Sequence, residues 1–202
     1  RLTFMERLVS AMAEMNDSFN EVTAEMLKVI SDYDSVTGFQ GAYNIRQDSM
    51  CAGRKNSENI TIESKTDKPG INIRVKPGTK GETVYIPACV THSNVDDLVY
   101  NDFFIGEGAD VTIVAGCGVH SDGSETARHN GIHRFFLEKG AKVLYKEKHI
   151  GTGKGTGLRR IDPVTDAYLK EDSYLEMDTV QLRGVDRTTR STSAVLEKGA
   201  KI

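Results

Sequence analysis

The sequence predicts a β-solenoid, a chain coiled into stacked parallel strands, and three observations point there. A stretch running Phe135-Phe136-Leu137-Glu138-Lys139-Gly140-Ala141-Lys142-Val143-Leu144-Tyr145 has an earlier relative, Phe103-Phe104-Ile105-Gly106-Glu107-Gly108-Ala109-Asp110-Val111-Thr112-Ile113. A third copy, Ala194-Val195-Leu196-Glu197-Lys198-Gly199-Ala200-Lys201-Ile202, closes the chain. Each has an apolar β-rich triplet, two polar residues, a Gly-Ala corner and a strand with alternate residues apolar. Gly supplies the positive φ of a tight corner, and Ala leaves room for the next turn of chain. The second observation is spacing: aligned on the corner, Asp48, Gly78, Gly108, Gly140, Asp172 and Gly199 are separated by 30, 30, 32, 32 and 27 residues. The third is what is missing. Helical repeats of similar period need amphipathic helices of roughly ten residues per unit, and beyond Gly38 the sequence has only short β-rich segments punctuated by Gly, Pro, Asn and Asp.

In chain order, residues 1–37 form a separate, helical segment. Met5, Leu8, Met12, Met15, Phe19, Val22, Met26 and Val29 alternate steps of three and four, which places them on one helix face. Asn16-Asp17-Ser18, with Glu21 three residues after Ser18, allows this face to be split between two helices. The Met-rich stripe is expected to pack on the protein's own body or on a second copy. Residues 38–202 form the solenoid core, with two or three short strands per coil and inward apolar residues building one continuous interior. Terminal coils leave open strand edges, and the N-terminal helices are the expected cap for one of them. The last repeat stops at Ile202, so the chain reads as a fragment, incomplete at its C-terminus.

Composition narrows the function. The 202 residues carry a formal charge of -3, which gives no sequence-wide attraction to nucleic acid or anionic membranes. No apolar run approaches the ~20 residues of a membrane span, and no signal peptide opens the sequence, so a cytoplasmic protein is expected. Cys51, Cys89 and Cys117 are odd in number and lack a CxxC pair, which argues for free thiols.

Several blocks together resemble the SufB/SufD family of iron–sulfur cluster assembly proteins, in particular its short SufB/SufD-like branch. They are Val99-Tyr100-Asn101-Asp102-Phe103, Ala109 through His120, Asn130-Gly131-Ile132-His133, Lys146-Glu147-Lys148-His149 and Gln181-Leu182-Arg183-Gly184-Val185-Asp186. The likeness covers roughly residues 40–202. It implies a right-handed parallel β-helix, a non-enzymatic scaffold on which a transient iron–sulfur cluster is assembled, a SufC-type ABC ATPase as partner, and a homodimer or SufB/SufD-type heterodimer. The helical region through which the family mainly contacts its ATPase lies beyond the matched blocks.

Cluster assembly needs soft thiolates, with imidazole or carboxylate as accessory ligands. Cys117, in Ala115-Gly116-Cys117-Gly118, leads the candidates, its flanking glycines expected to leave the thiol uncrowded. The resemblance matches it to the β-helix cysteine of SufB proteins that is implicated in receiving sulfur. The competing reading is a small apolar side chain filling the coil. His149 lies one coil later, where stacking brings it towards that thiol; the SufB proteins carry Gln there, so histidine is a departure. Cys89, 28 residues before Cys117, is a further cluster-binding candidate, against core packing. His120, His129 and His133 lie near Cys117 in sequence, and Cys117, His120, His133 and His149 are the candidate metal ligands. Gly151-Thr152-Gly153-Lys154-Gly155-Thr156-Gly157 fits no phosphate-binding motif and is expected to be a flexible loop. Asp96, Asp97 and Asp102 could supply the carboxylates of a carbohydrate-active β-helix enzyme. A SufD-like structural partner without a cluster of its own is the other alternative.

Overall fold

The computed structural model describes residues 20–31 and 39–202. Of the predicted helical segment, the part before Asn20 and the stretch 32–38 lie outside them. Among the described residues, one helix, α1 (Glu21–Ile30), precedes fourteen strands: β1 (Ala42–Gln47), β2 (Met50–Lys55), β3 (Ile60–Ser64), β4 (Gly70–Val75), β5 (Lys80–Val90), β6 (Asp96–Ile105), β7 (Asp110–His120), β8 (Ala127–Leu137), β9 (Lys142–Thr152), β10 (Arg159–Ile161), β11 (Val164–Leu169), β12 (Tyr174–Arg183), β13 (Arg187–Thr188) and β14 (Ser191–Leu196).

These strands wind into a β-solenoid of about four turns. One wall has the order β12-β9-β7-β5-β1-β2, and the other β13-β10-β8-β6-β4-β3, with β11 and β14 continuing the second wall. Each full coil is thus two long strands, for example β6 and β7, rather than three. Along β8 every other residue from Ala127 to Leu137 is buried, the period-two signature of a strand with one face on a core. Parallel pairing puts equivalent residues of successive repeats side by side. Phe103 and Phe135 therefore stack inside with centroids 4.6 Å apart, while Phe104, Phe136 and Tyr168 form an outer ladder at 5.1 and 5.2 Å. A fully buried Phe such as Phe103 contributes roughly 1.5–3 kcal/mol.

All six corner positions read from the sequence have positive φ, including 67° at Gly108 and 57° at Asp172. Five of them stack. Gly78 N–H donates to Glu107 O, Gly108 to Lys139 O, Gly140 to Glu171 O, and Asp172 to Lys198 O, at 2.9–3.0 Å. Asp48 differs, because it turns the hairpin between β1 and β2, which pair antiparallel. β3 and β4 also pair antiparallel, so both walls end in a hairpin on their N-terminal side.

Helix α1 is capped by Asn20, whose side chain accepts from Thr23 N–H at 2.8 Å. It lies on the outer face of β5, β7 and β9, burying Met26, Leu27 and Ile30. A side chain at Gly116 would meet Ile30 at 2.7 Å, and one at Gly118 would meet the Met26 sulfur at 2.3 Å. These two glycines make the flat surface that seats the helix. They do not decrowd the thiol of Cys117, which points to the opposite face. Residues 151–157 are likewise not a loose loop but a coil corner laid on the preceding coil: Gly155 N–H donates to Ser121 O and Gly157 N–H to Gly123 O, each at 2.9 Å. Any Cβ at Gly153, Gly155 or Gly157 would run into that neighbouring backbone. Among the described residues, no helix is long and apolar enough to cross a membrane.

Candidate functional site in the solenoid interior

Strand register places Arg46, Ala88, Cys117, His149 and Gln181 as successive neighbours in one column running through five strands. Alternation turns this column inward at Ala88 and Cys117, which pack with Val90, Val119, Ala127 and Ile161. The predicted juxtaposition of Cys117 and His149 is present, since the two are direct cross-strand partners. Both side chains are buried, at 6% and 1% exposure.

The same alternation along β9 turns Tyr145, Glu147 and His149 to the interior. Glu147 is the residue that sequence reasoning missed. Its Oε1 lies 3.0 Å from His149 Nε2 and 3.0 Å from Arg190 Nη2, and the Tyr145 hydroxyl donates to Oε2. The approach to His149 is close but poorly aligned, so His149 Nε2 lacks a well-directed hydrogen bond. Burial pushes the Glu147 carboxyl up, but contact with His149, the charge of His133 and the Tyr145 hydroxyl outweigh it and hold it below the usual carboxylate range.

From the opposite wall, His129 and His133 enter the interior on either side of Gly131, where a Cβ would lie 3.1 Å and 2.9 Å from their Nε2 atoms. His129 Nδ1 is 3.0 Å from Asp97, which also receives Nε and Nη2 of Arg46. Burial opposes ionisation of Asp97, yet the bonds from His129 and Arg46 hold its carboxyl below the ordinary range. His133 stacks on Phe103 at 5.7 Å, and its Nδ1 has no hydrogen-bond partner. Burial pushes this imidazole down to about 4.

Burial raises the Cys117 thiol well above its ordinary value, and the negative charge of Glu147 adds to the effect. The resting group is a protonated thiol beside an imidazole that is itself in contact with a carboxylate. Such an arrangement suits a sulfur nucleophile that is released for reaction by a neighbouring base.

The other candidates fall elsewhere. Cys89 is the cross-strand partner of Gly118, not of Cys117, and lies on the outer face under α1 with Met26, Leu27 and Ile30. Burial there pushes its thiol up to about 12, with Asp48 adding. His120 ends β7 outside the interior, its Nδ1 2.8 Å from Thr152 Oγ1, beside a groove of about 400 Å³ under α1. Among the described residues, no three His, Cys, Asp or Glu donors are grouped so as to hold a metal ion. Among the described residues, the interior brings one thiol, Cys117, together with imidazole and carboxylate neighbours. The carboxylates of the carbohydrate-enzyme alternative are engaged in ion pairs: Asp97 as above, and Asp102 by Lys65 and Arg134.

Fold and site together define a parallel β-solenoid with a thiol, an imidazole and a carboxylate buried in its interior. The particular likeness is to iron–sulfur cluster assembly SufBD family proteins, the resemblance read from the sequence. A homolog from Methanothermobacter thermautotrophicus is 32% identical over 89 residues, 43% of this chain and 21% of the relative. A protein of that family from Archaeoglobus fulgidus is 33% identical over 98 residues, 48% of this chain and 26% of the relative. A protein from a second strain of the Methanothermobacter species is 30% identical over 89 residues, covering 43% and 21%. The matched stretch therefore spans about a fifth to a quarter of these curated relatives. No family model matches the chain, and no solved structure matches it.

Proposed function

We propose that the chain takes part in iron–sulfur cluster assembly as a SufB/SufD-like scaffold, and that Cys117 accepts sulfur within the solenoid. The observation that carries this reading is the pairing of an inward cysteine with His149 on the next coil, in contact with Glu147. His149 is the neighbouring base for the thiol, and the Glu147 carboxylate beside it offsets the positive charge the imidazole gains on taking the proton. The similarity to SufBD family proteins supports the assembly role. Work with a SufC-type ATPase, a homodimeric or SufB/SufD-type assembly, and cytoplasmic location belong to the same proposal through the family resemblance. The cluster is cargo, with ligands beyond Cys117 supplied by the assembled complex.

The test is anaerobic incubation of the full-length protein, in complex with its SufC-type ATPase, with iron and sulfide, followed by absorption spectroscopy. A thiolate-to-iron band that Cys117→Ser diminishes supports the role; a band unaffected by that substitution removes Cys117 from it. A purely structural, SufD-like reading is favoured by the protonated resting state of the thiol. It predicts association with a SufC-type ATPase and no iron band at all.

A further inference from the structure

On the outer face of the second wall, strand register stacks Asp96, Arg128, Arg160 and Arg187 as successive neighbours on β6, β8, β10 and β13. The column faces outward because the next residues along β8 and β10, His129 and Ile161, are buried inside. Three guanidinium groups on adjacent strands repel one another unless an anion lies between them. Between Arg128 and Arg160 one does. Asp162 accepts from Arg128 Nε at 2.7 Å and lies 3.0 Å from Arg160 Nη2, while its other oxygen takes the Thr189 N–H at 3.0 Å. At the upstream end, Asp96 lies 3.6 Å from Arg128 Nη1. The interval between Arg160 and Arg187 has no such group. Among the described residues no carboxylate pairs with the exposed Arg187, and the adjacent Asp186 is engaged by Arg159. Arg160 Nε is buried and has no hydrogen-bond partner. An unpaired buried guanidinium N–H is costly, and it calls for an acceptor.

We propose that the interval between Arg160 and Arg187 binds an oxyanion of the phosphate class, either inorganic phosphate or the terminal group of a small phosphate ester. Asp162 shows what the column accepts, an anionic oxygen shared by guanidinium groups of two successive coils. A phosphate extends that pattern by one coil. Adjacent strands are about 4.8 Å apart, so one phosphate oxygen can take Arg160 Nε while others meet the fork of Arg187. Its double negative charge answers two cations, where a carboxylate answers one. A ligand gripped from both coils also fastens β13, a strand of only two residues that pairs with β10. The site lies across the wall from the interior thiol and stands independently of the sulfur-accepting reading.

The experiment titrates inorganic phosphate, and separately glycerol 3-phosphate, into the full-length protein at constant ionic strength, with sodium chloride as the balancing salt. Calorimetry reads the binding and amide exchange locates it. The expected result is saturable binding that slows exchange across residues 186–189. Arg187→Gln removes an exposed side chain without an ion-pair partner, so the variant folds, and it should weaken binding by about tenfold, the low end of what a charged hydrogen bond contributes. Arg74→Gln, which removes a cation from the same wall outside the column, should leave binding unchanged. Tighter binding of glycerol 3-phosphate makes a phosphate ester the ligand, and equal or weaker binding makes it free phosphate. No saturable binding of either compound overturns the assignment. So does binding that Arg187→Gln leaves intact, or that both substitutions weaken equally, since the latter is the general field of the surface.

Discussion

His133 is the residue whose protonation the fold resists most visibly. Its imidazole is wedged between Phe103 and Tyr145, and burial lowers its pKa to about 4 from 6.5. The unfolded chain therefore binds the extra proton first as pH falls. Stability is intact above about 6.5 and drains away down to about 4, a loss of about 3 kcal/mol for 2.5 units. Urea denaturation between those pH values should show this slope, and His133→Phe, which keeps the ring stack, should flatten it; an unchanged slope would place the acid sensitivity elsewhere. Below pH 4 the depressed carboxyls of Asp97 and Glu147 carry the remaining acid loss, since protonating them removes bonds that only their charged forms make. Cys117 and His149 were legible in the sequence because each sits at a countable distance from a corner. Glu147 was not, because Lys146-Glu147-Lys148 looks like an exposed charged run; carrying the alternation from Val143 and Tyr145 two residues further would have turned it inward. Cys89 misled for the same arithmetic reason. It lies 28 residues before Cys117, whereas the register there pairs residues 29 apart, and one residue of difference selects the opposite face.

At the level of elements, the contact between α1 and the β5-β7-β9 wall depends on the two glycines around Cys117. Gly118→Ala would drive a methyl into the Met26 sulfur, so the helix must lift or Met26 must change rotamer. The expected cost is about 1–3 kcal/mol. Amide exchange should locate the loss in α1 and spare β8, on the far wall; equal losses in both would mean that the helix and the coils open as one unit. An amphipathic helix was evident from the spacing of Val22, Met26 and Val29, but the face it buries is Thr23, Met26, Leu27 and Ile30 with Val29 exposed, and its seat was not evident. Glycine on a strand reads as a bulge or a loose spot, and only the assembled wall reveals that Gly116 and Gly118 line up beneath Ile30 and Met26. Gly151 to Gly157 posed the same difficulty, their value lying entirely in close approach to the coil below.

For the whole molecule, the fold was written in the corner spacing, and positive φ at all six aligned positions is the physical form of that repeat. Sequence could not separate Asp48 from the others, because a hairpin and a coil corner ask the same of the backbone. Gly108→Ala tests the corner in isolation. No atom lies within 4 Å of the added methyl, so the change introduces left-handed strain and little else. It should lower stability by about 1–2 kcal/mol, with the melting temperature falling accordingly; no change would mean that the corner can flip without loss.

The corner ladder also acts as a reading frame for the interior. Each strand is pinned at its start by a bond to the next coil, so which residues face inward is counted from that anchor. One residue inserted between Gly108 and Cys117 would hand the interior position to Gly116 and turn the thiol towards α1, whereas two inserted residues would restore the alternation of faces but shift Cys117 past His149. The opposite turns, residues 121–126 and 153–158, leave no more freedom, because the backbone of one is laid on the other through Gly155 and Gly157.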